Sequence, residues 1–194
     1  MKNEISNFCH EYIENLKNIL SLIDTKTIEQ IIFTLEKSIV NKSRIYIMGN
    51  GGSAATASHM ANDLGAAGLR RRGIRNFDVV SLTDNNSVIT AIANDIGYEN
   101  IFYMQIEGLL KPEDIIIAIS CSGNSPNVVK AAEYAKSINC TIIGVTGFDG
   151  GRLREISDIS FHIEAPKGEY GLVEDAHMIL DHIIYSYYIS KGMK

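Results

Sequence analysis

The feature that most constrains the fold is an alternation of short, apolar, β-branched runs with segments of helical periodicity. The runs are almost continuously apolar, which is typical of strands buried on both faces of a parallel sheet. Five of them predict strands, at residues 44–48, 78–82, 114–120, 140–146 and 158–163. Helical patterns at 53–66, 86–94, 99–110, 125–138 and 172–190 separate or follow these strands. The sequence therefore predicts an α/β fold, a three-layer αβα sandwich of flavodoxin-like type with a mostly parallel five-stranded sheet.

Two further helical patterns, at 3–20 and 25–41, precede the first strand and predict an N-terminal helical pair. Asp24 or Thr25 fits the N-cap of the second helix. The chain has no internal repeat or low-complexity tract and only 3 prolines, so no linker divides it. We expect a single domain over 1–194, with the N-terminal helices at 1–42 and the α/β core and C-terminal helix at 43–194.

The charge balance argues against a general affinity for nucleic acid or acidic membranes, because the net charge is −5. The basic run Arg70–Arg72 is better explained as a solvated loop than as a contact with an anionic ligand or partner. No run approaches the roughly 18 apolar residues that cross a bilayer, and the charged N-terminus argues against a signal peptide. The three cysteines are widely spaced, as in cytosolic proteins. We expect a cytoplasmic protein.

A glycine-rich loop, Gly49 to Ala54 (GNGGSA), leads directly from the first predicted strand into a helix. Glycines allow a ligand to approach the backbone, and the free N–H groups of a helix N-terminus attract anions. Ser53 adds a hydroxyl donor. The loop matches neither GxGxxG nor a P-loop, so alone it indicates only an anion site.

A second loop, from Ser120 to Pro126 (SCSGNSP), follows the third predicted strand and also precedes a helix. Serine and asparagine are common N-caps, so one such loop would be explained by capping alone. Two of them at strand ends in one sheet favour phosphate binding, because ligands occupy such crevices. Neither loop contains Lys or Arg, which favours a sugar phosphate over a nucleoside triphosphate.

The motifs GNGGSAxxAxH and SxSGNSPNVxKA together resemble the SIS (sugar isomerase) domain family, and within it the phosphoheptose isomerases. The segments AIANDIGYENIF and GVTGFDGG, the N-terminal helical pair and the last helix extend the likeness over nearly the whole chain. The resemblance implies a homotetramer with active sites near subunit interfaces and one divalent metal ion, usually Zn²⁺, in each subunit. No redox or nucleotide cofactor is expected.

The activity that the resemblance implies is metal-assisted aldose–ketose isomerisation of a phosphorylated sugar through an enediol. Sedoheptulose 7-phosphate and a heptose 7-phosphate are the expected pair. One alternative is an isomerase or epimerase of a different phosphosugar in glycan synthesis. Another is a non-catalytic SIS module that binds a phosphosugar or a protein.

The resemblance also assigns roles to residues. The catalytic pair would be Asp63 and His182, and the metal ligands would be His59, Asp63, Glu174 and His182. Substrate contacts would come from both loops and from neighbouring polar positions: Asn50, Gly51, Gly52, Ser53, Asp63, Asn94, Asp95, Ser120, Cys121, Ser122, Ser125 and Glu174.

The positions of the proposed metal ligands in the sequence show how they would be spaced along two helices. His59 and Asp63 are four residues apart and share a helix face, whereas Glu174 and His182 lie roughly 12 Å apart along a helix. Two imidazoles and two carboxylates suit zinc or another first-row divalent ion. Without the family resemblance, the His59/Asp63 and Glu174/His182 pairs are slightly better explained as polar side chains on helix surfaces. His177 is assigned no metal role.

Five positions depart from the phosphoheptose isomerase pattern. Asp63 stands where the family has glutamate, and Glu174 where it has glutamine. Gly171-Leu172 replaces an Asp-Arg pair, and Ala67 replaces an arginine. These changes put the identity of the substrate in question more than the class of reaction. A carboxylate and a histidine remain at the catalytic positions, which favours an enzyme over a binding module.

Overall fold

The computed structural model describes residues 2–192 and contains one sheet of five parallel strands. The strands are β1 (Ile45–Gly49), β2 (Val79–Ser81), β3 (Ile115–Ser120), β4 (Thr141–Gly147) and β5 (Ile159–Ile163), in the order β2-β1-β3-β4-β5. All five predicted strands are therefore confirmed, and the sheet is parallel throughout.

The central strands are buried on both faces, which explains why their sequences are continuously apolar. In β1, Ile45 and Ile47 point into one core and Tyr46 and Met48 into the other, as the two-residue period of a strand requires. The first core packs against the helices at residues 25–41, 52–64 and 170–191, and the second against the helices between residues 86 and 156. The predicted three-layer sandwich is thus confirmed.

Eight α-helices surround the sheet within the described residues. They are α1 (Lys2–Ser21), α2 (Thr25–Asn41), α3 (Gly52–Leu64), α4 (Asn86–Asp95), α5 (Tyr103–Ile106), α6 (Pro126–Ser137), α7 (Gly151–Ile156) and α8 (Tyr170–Lys191). The N-terminal helical pair is confirmed, and Asp24 is the N-cap of α2, accepting a hydrogen bond of 3.0 Å from the Lys26 N–H. No helix among residues 2–192 is both long and apolar enough to cross a membrane.

One helical prediction was wrong in detail, and one short helix was missed. The pattern at 99–110 forms a 3₁₀ turn (Tyr98–Asn100) and the short α5, not one helix. Gly108, with φ +71°, follows α5 in the left-handed region, where an α-helix cannot continue. Helix α7 was not predicted, because six residues are too few for a recognisable period.

The strand order positions the two motif loops next to each other. Strands β1 and β3 are adjacent and parallel, so the loops that leave their carboxyl ends meet at one edge of the sheet. Helices α3 and α8 pack side by side in the layer above this edge. The prediction of a single domain over 1–194 stays a prediction.

Candidate active site

Side-chain hydrogen bonds join the two motif loops. The Asn50 amide, in the glycine-rich loop, exchanges two hydrogen bonds of 2.9 and 2.8 Å with the Asn127 amide at the start of α6. The Tyr98 hydroxyl donates to the Asn50 Oδ1 at 3.0 Å. Asn127 is buried, so this amide pair holds the loops in a defined relative position. Neither Asn127 nor Tyr98 was predicted, because their partners are distant in sequence.

The serine-rich loop is held by its own hydroxyl and amide groups. Ser120 Oγ and Ser125 Oγ lie 3.1 Å apart, and Ser122 Oγ accepts the Asn124 N–H at 3.2 Å. Gly123 has φ +63°, a conformation that side-chain-bearing residues rarely adopt. A Cβ at this position would also overlap the carbonyl oxygen of Gly150. The loop therefore depends on glycine at this point.

The two loops enclose a cavity of about 180 Å³. The N-termini of α3 and α6 are formed by these same loops, and both favour an anion there through free N–H groups and the helix dipole. None of the side chains that line the cavity is basic. The lining residues are Asn50, Ser53, Ile119, Ser120, Cys121, Ser122, Ser125, Tyr170 and Glu174.

Glu174 is the one charged residue in this lining, and its carboxylate lies against the first residue of α3. A Cβ at Gly52 would overlap that carboxylate, so glycine permits the close approach. Cys121, beside it, is buried. Burial and then the negative charge of Glu174 raise the pKa of the Cys121 thiol. The thiol is therefore a neutral wall of the cavity and not a nucleophile.

A second group of polar side chains lies further along α3 and α8. Its closest atoms are His59 Nε2 and His182 Nε2, 3.3 Å apart. His59 Nε2 is also 3.5 Å from Asp63 Oδ2 and 3.9 Å from Asp181 Oδ2. One ligand atom from each of these four residues lies within 4.8 Å of the other three. We call them the His/Asp cluster, and their geometry could hold a metal ion.

Asp181 was not predicted as a site residue, although it is the most buried member of the cluster, with no exposed area. Burial and then the negative charge of Asp63 raise its pKa to about 7. A sequence signal existed: Asp181 and His182 interrupt the apolar residues Met178–Leu180 and Ile183–Ile184 of α8. A lone carboxylate on the apolar stripe of a helix is rarely buried without a partner.

The structure brings together only part of the predicted metal set. His59, Asp63 and His182 are in the His/Asp cluster, whereas Glu174 is in the wall of the serine-lined cavity. Asn94 and Asp95 are exposed at the end of α4 and contact each other at 2.7 Å, and neither is among the residues that line the cavity. Their predicted substrate contacts, and the roles of exposed Gly51 and Gly52, stay predictions.

His177 lies on a different side of α8 from His182. Its Nε2–H donates to the Thr146 carbonyl oxygen on β4 at 3.1 Å, and it belongs to the buried core beneath the helix. Burial lowers its pKa to about 4, so the ring is neutral in the folded protein. Helix α8 therefore directs His177 toward β4 and His182 toward His59 on α3.

Comparison with known proteins agrees with this architecture. Residues 11–147 match the SIS domain family. The phosphoheptose isomerase of Geotalea daltonii is 37% identical over 185 residues, covering 95% of this chain and 93% of that protein. The phosphoheptose isomerase of Helicobacter pylori (strain P12) is 38% identical over 172 residues, covering 88% and 86%. The structure of phosphoheptose isomerase GmhA from Neisseria gonorrhoeae matches with a TM-score of 0.83 and 27% identity, covering 97% and 98%. The chain therefore belongs to the SIS domain family, within its phosphoheptose isomerase branch.

Proposed function

We propose that this protein is a phosphosugar aldose–ketose isomerase that interconverts sedoheptulose 7-phosphate and a heptose 7-phosphate. The observation that carries the proposal is the pairing of two different sites along α3 and α8. The serine-lined cavity lies at the N-terminus of α3, where Gly52 meets Glu174. The His/Asp cluster begins at His59, seven residues further along α3. The phosphoheptose isomerase relatives support the choice of substrate class.

The separation of the two sites suits a long sugar chain. Seven residues of α-helix span about 10 Å. An extended seven-carbon sugar phosphate also measures about 10 Å from its first carbon to phosphorus, and a five-carbon one is about 2.5 Å shorter. A heptulose phosphate held in the serine-lined cavity would therefore present its first two carbons to the His/Asp cluster.

The donor set of the cluster fits a divalent metal ion, and we propose zinc. His59, Asp63 and His182 would hold it, since imidazole and carboxylate are ligands that zinc accepts. When bound, the ion would polarise the sugar carbonyl as a Lewis acid. The predicted ligation by Glu174 stays a prediction, because that carboxylate is in the cavity wall.

The protein side chains supply the proton transfers of the proposed reaction. Asp63, buried at 8% exposure, would take the proton that moves between the first two carbons to form the enediol. His182 would carry the hydroxyl proton, because its ring is exposed and lies within 3.3 Å of His59. The serine hydroxyls and helix N-termini would fix the phosphate and keep the open-chain sugar in register.

A different phosphosugar is the second candidate, and one observation favours it. Glu174 puts a negative charge into the lining of the cavity, where the family has glutamine. A carboxylate there disfavours a phosphate dianion pressed against it but can accept hydrogen bonds from sugar hydroxyls. Turnover assays with heptulose, hexose and pentulose phosphates distinguish the two candidates, and preferential turnover of the heptulose supports the first.

Ser122→Ala tests the phosphate site. In the structure Ser122 Oγ accepts the Asn124 N–H, which leaves its own hydrogen free to donate to a phosphate oxygen. Loss of one hydrogen bond to a charged group costs about 1.5–3 kcal/mol, so we expect affinity for sedoheptulose 7-phosphate to fall about 10- to 150-fold by calorimetry. Ser137→Ala, at the far end of α6, is the matched control and should bind normally. Equal affinities in the two variants would place the phosphate elsewhere.

We also propose that the protein is a cytoplasmic homotetramer. Apolar side chains stay exposed on α1, α2 and α8, among them Phe8 at 66%, Phe33 at 55% and Ile183 at 40%. Tyr188, by contrast, is fully buried within the chain, so only part of the apolar C-terminal helix needs a partner. Light scattering should give four times the chain mass of 21.4 kDa. A monomer at micromolar concentration would contradict the proposal.

A further inference from the structure

The Asp181 carboxylate is buried without a hydrogen-bond partner, and its Oδ2 lies 3.9 Å from His59 Nε2. The residue has no exposed area, and neither Oδ1 nor Oδ2 accepts a hydrogen bond from any described residue. It shares the buried face of α8 with Leu180, Ile184 and Tyr188. A fully buried carboxylate that accepts no hydrogen bond is strongly unfavourable, so such groups usually pair closely with a cation or coordinate a metal.

The carboxylate faces ligand atoms at distances that a metal site requires. A tetrahedral zinc site with bonds of about 2.0–2.1 Å has edges of about 3.3–3.4 Å between ligand atoms. His59 Nε2 lies 3.3 Å from His182 Nε2, 3.5 Å from Asp63 Oδ2 and 3.9 Å from Asp181 Oδ2. The other pairs of ligand atoms lie within 4.8 Å of one another, so side-chain rotations would suffice to bring all four atoms onto one ion.

Glu174 of the same chain is not positioned to supply that fourth ligand. Its carboxylate packs on Gly52, at the other end of the paired helices. It precedes His182 by eight residues of continuous α-helix, about 12 Å along the axis of α8. A shared ion would require a large shift of α8 against α3, two helices that pack closely in the core.

We infer that Asp181 is a metal ligand, so that His59, Asp63, Asp181 and His182 form a complete four-ligand site within one chain. Two carboxylates and two neutral imidazoles balance the charge of a divalent ion, which suits a site with one fully buried ligand. Glu174 then belongs to the substrate cavity alone. The inference rests on the proposed function only in that both need a divalent ion in this cluster.

The test measures metal affinity independently of turnover. Wild type, Asp181→Leu, Asp181→Asn and Glu174→Gln are freed of metal, and Zn²⁺ binding is measured by competition with a chromophoric chelator. Co²⁺ absorption reports the coordination geometry. We expect both Asp181 variants to lose about 100-fold or more in zinc affinity, since even outer-shell changes cost 10–100-fold. Glu174→Gln should stay within about threefold of wild type. Intense tetrahedral Co²⁺ bands should appear in wild type and Glu174→Gln and be lost in both Asp181 variants.

Folding of the variants is checked without metal. Asp181→Leu replaces a buried carboxylate that accepts no hydrogen bond by an apolar side chain, on the helix face that also carries Leu180 and Ile184, so its melting temperature should equal or exceed that of metal-free wild type. Weaker zinc binding by this variant then reports a lost ligand and not a lost fold. Asp181→Asn keeps the size of the side chain and serves as the second variant if leucine packs poorly.

The outcomes separate this inference from the proposed function. Unchanged zinc affinity in both Asp181 variants, an equal loss in Glu174→Gln, or no binding of Zn²⁺ or Co²⁺ by wild type would each overturn the inference. Asp181-dependent zinc binding in a protein that turns over no sugar phosphate would leave the inference standing and remove the isomerase. Turnover of a sugar phosphate, together with zinc binding that does not depend on Asp181, would support the isomerase and overturn the inference.

Discussion

Asp63→Asn is expected to lower the rate of sugar-phosphate isomerisation by roughly 10²–10⁴-fold, the usual cost of losing a general base. The amide keeps the size of the side chain but cannot take a proton at this position. It is also a poorer ligand for a divalent ion, so bound metal should fall in parallel. Affinity for the phosphosugar should change much less, because the serine-lined cavity does not include Asp63. Initial rates, metal content and calorimetry measure the three quantities.

Asp78→Asn is the matched control for this substitution. Asp78 is an exposed carboxylate that pairs with Arg44 at 3.0 Å, near the amino end of β2 and away from both sites. Exposed pairs contribute at most about 1 kcal/mol to stability, so this variant should retain wild-type turnover. Equal turnover by Asp63→Asn and Asp78→Asn would make Asp63 an ordinary helix residue and remove it from the proposed mechanism.

Asp63→Glu tests whether aspartate at this position, where the family has glutamate, determines which sugar phosphate is turned over. Glutamate at this position would add one methylene between the helix and the carboxylate, which is buried beside Asp181. If the shorter acid reflects a different sugar, glutamate should shift turnover toward the heptulose phosphate relative to hexose and pentulose phosphates. A uniform change across the three substrates would show that the length of the acid does not set specificity.

Gly123→Ala is expected to lower the free energy of unfolding by about 2–5 kcal/mol and to abolish tight phosphosugar binding. The left-handed backbone of Gly123 costs a side-chain-bearing residue about 1–2 kcal/mol. The added Cβ would overlap the Gly150 carbonyl oxygen, and overpacking of this kind adds about 1–3 kcal/mol. Because a backbone atom is the obstacle, relief requires a shift of the loop that carries Ser120 and Ser122.

Gly108→Ala is the control that separates the two contributions. Gly108 has a similar φ of +71°, but a Cβ there would meet no atom within 4 Å. We expect it to lose only the backbone contribution of about 1–2 kcal/mol and to bind phosphosugar normally. Urea unfolding and calorimetry on both variants are the measurements. Equal losses of stability would mean that the contact between the 120–126 loop and Gly150 is not tight.

The sequence by itself determined the layers of this fold and predicted an anion site at the sheet edge. Continuous apolar runs require strands buried on both faces, and helical periods between them require a parallel sheet. The loops at 49–54 and 120–126 were recognisable because glycine and serine at a helix start act locally. The short helix α7 escaped prediction because six residues carry too little periodicity.

Only the tertiary structure decided which side chains share a site. The contact of His59 with His182 joins residues 123 positions apart, and the Asn50–Asn127 pair joins residues 77 apart. Such contacts depend on how α3 is aligned along α8, which no local pattern specifies. That alignment puts Asp181 beside the histidines and leaves Glu174 in the serine-lined cavity, because eight residues of helix separate Glu174 from His182.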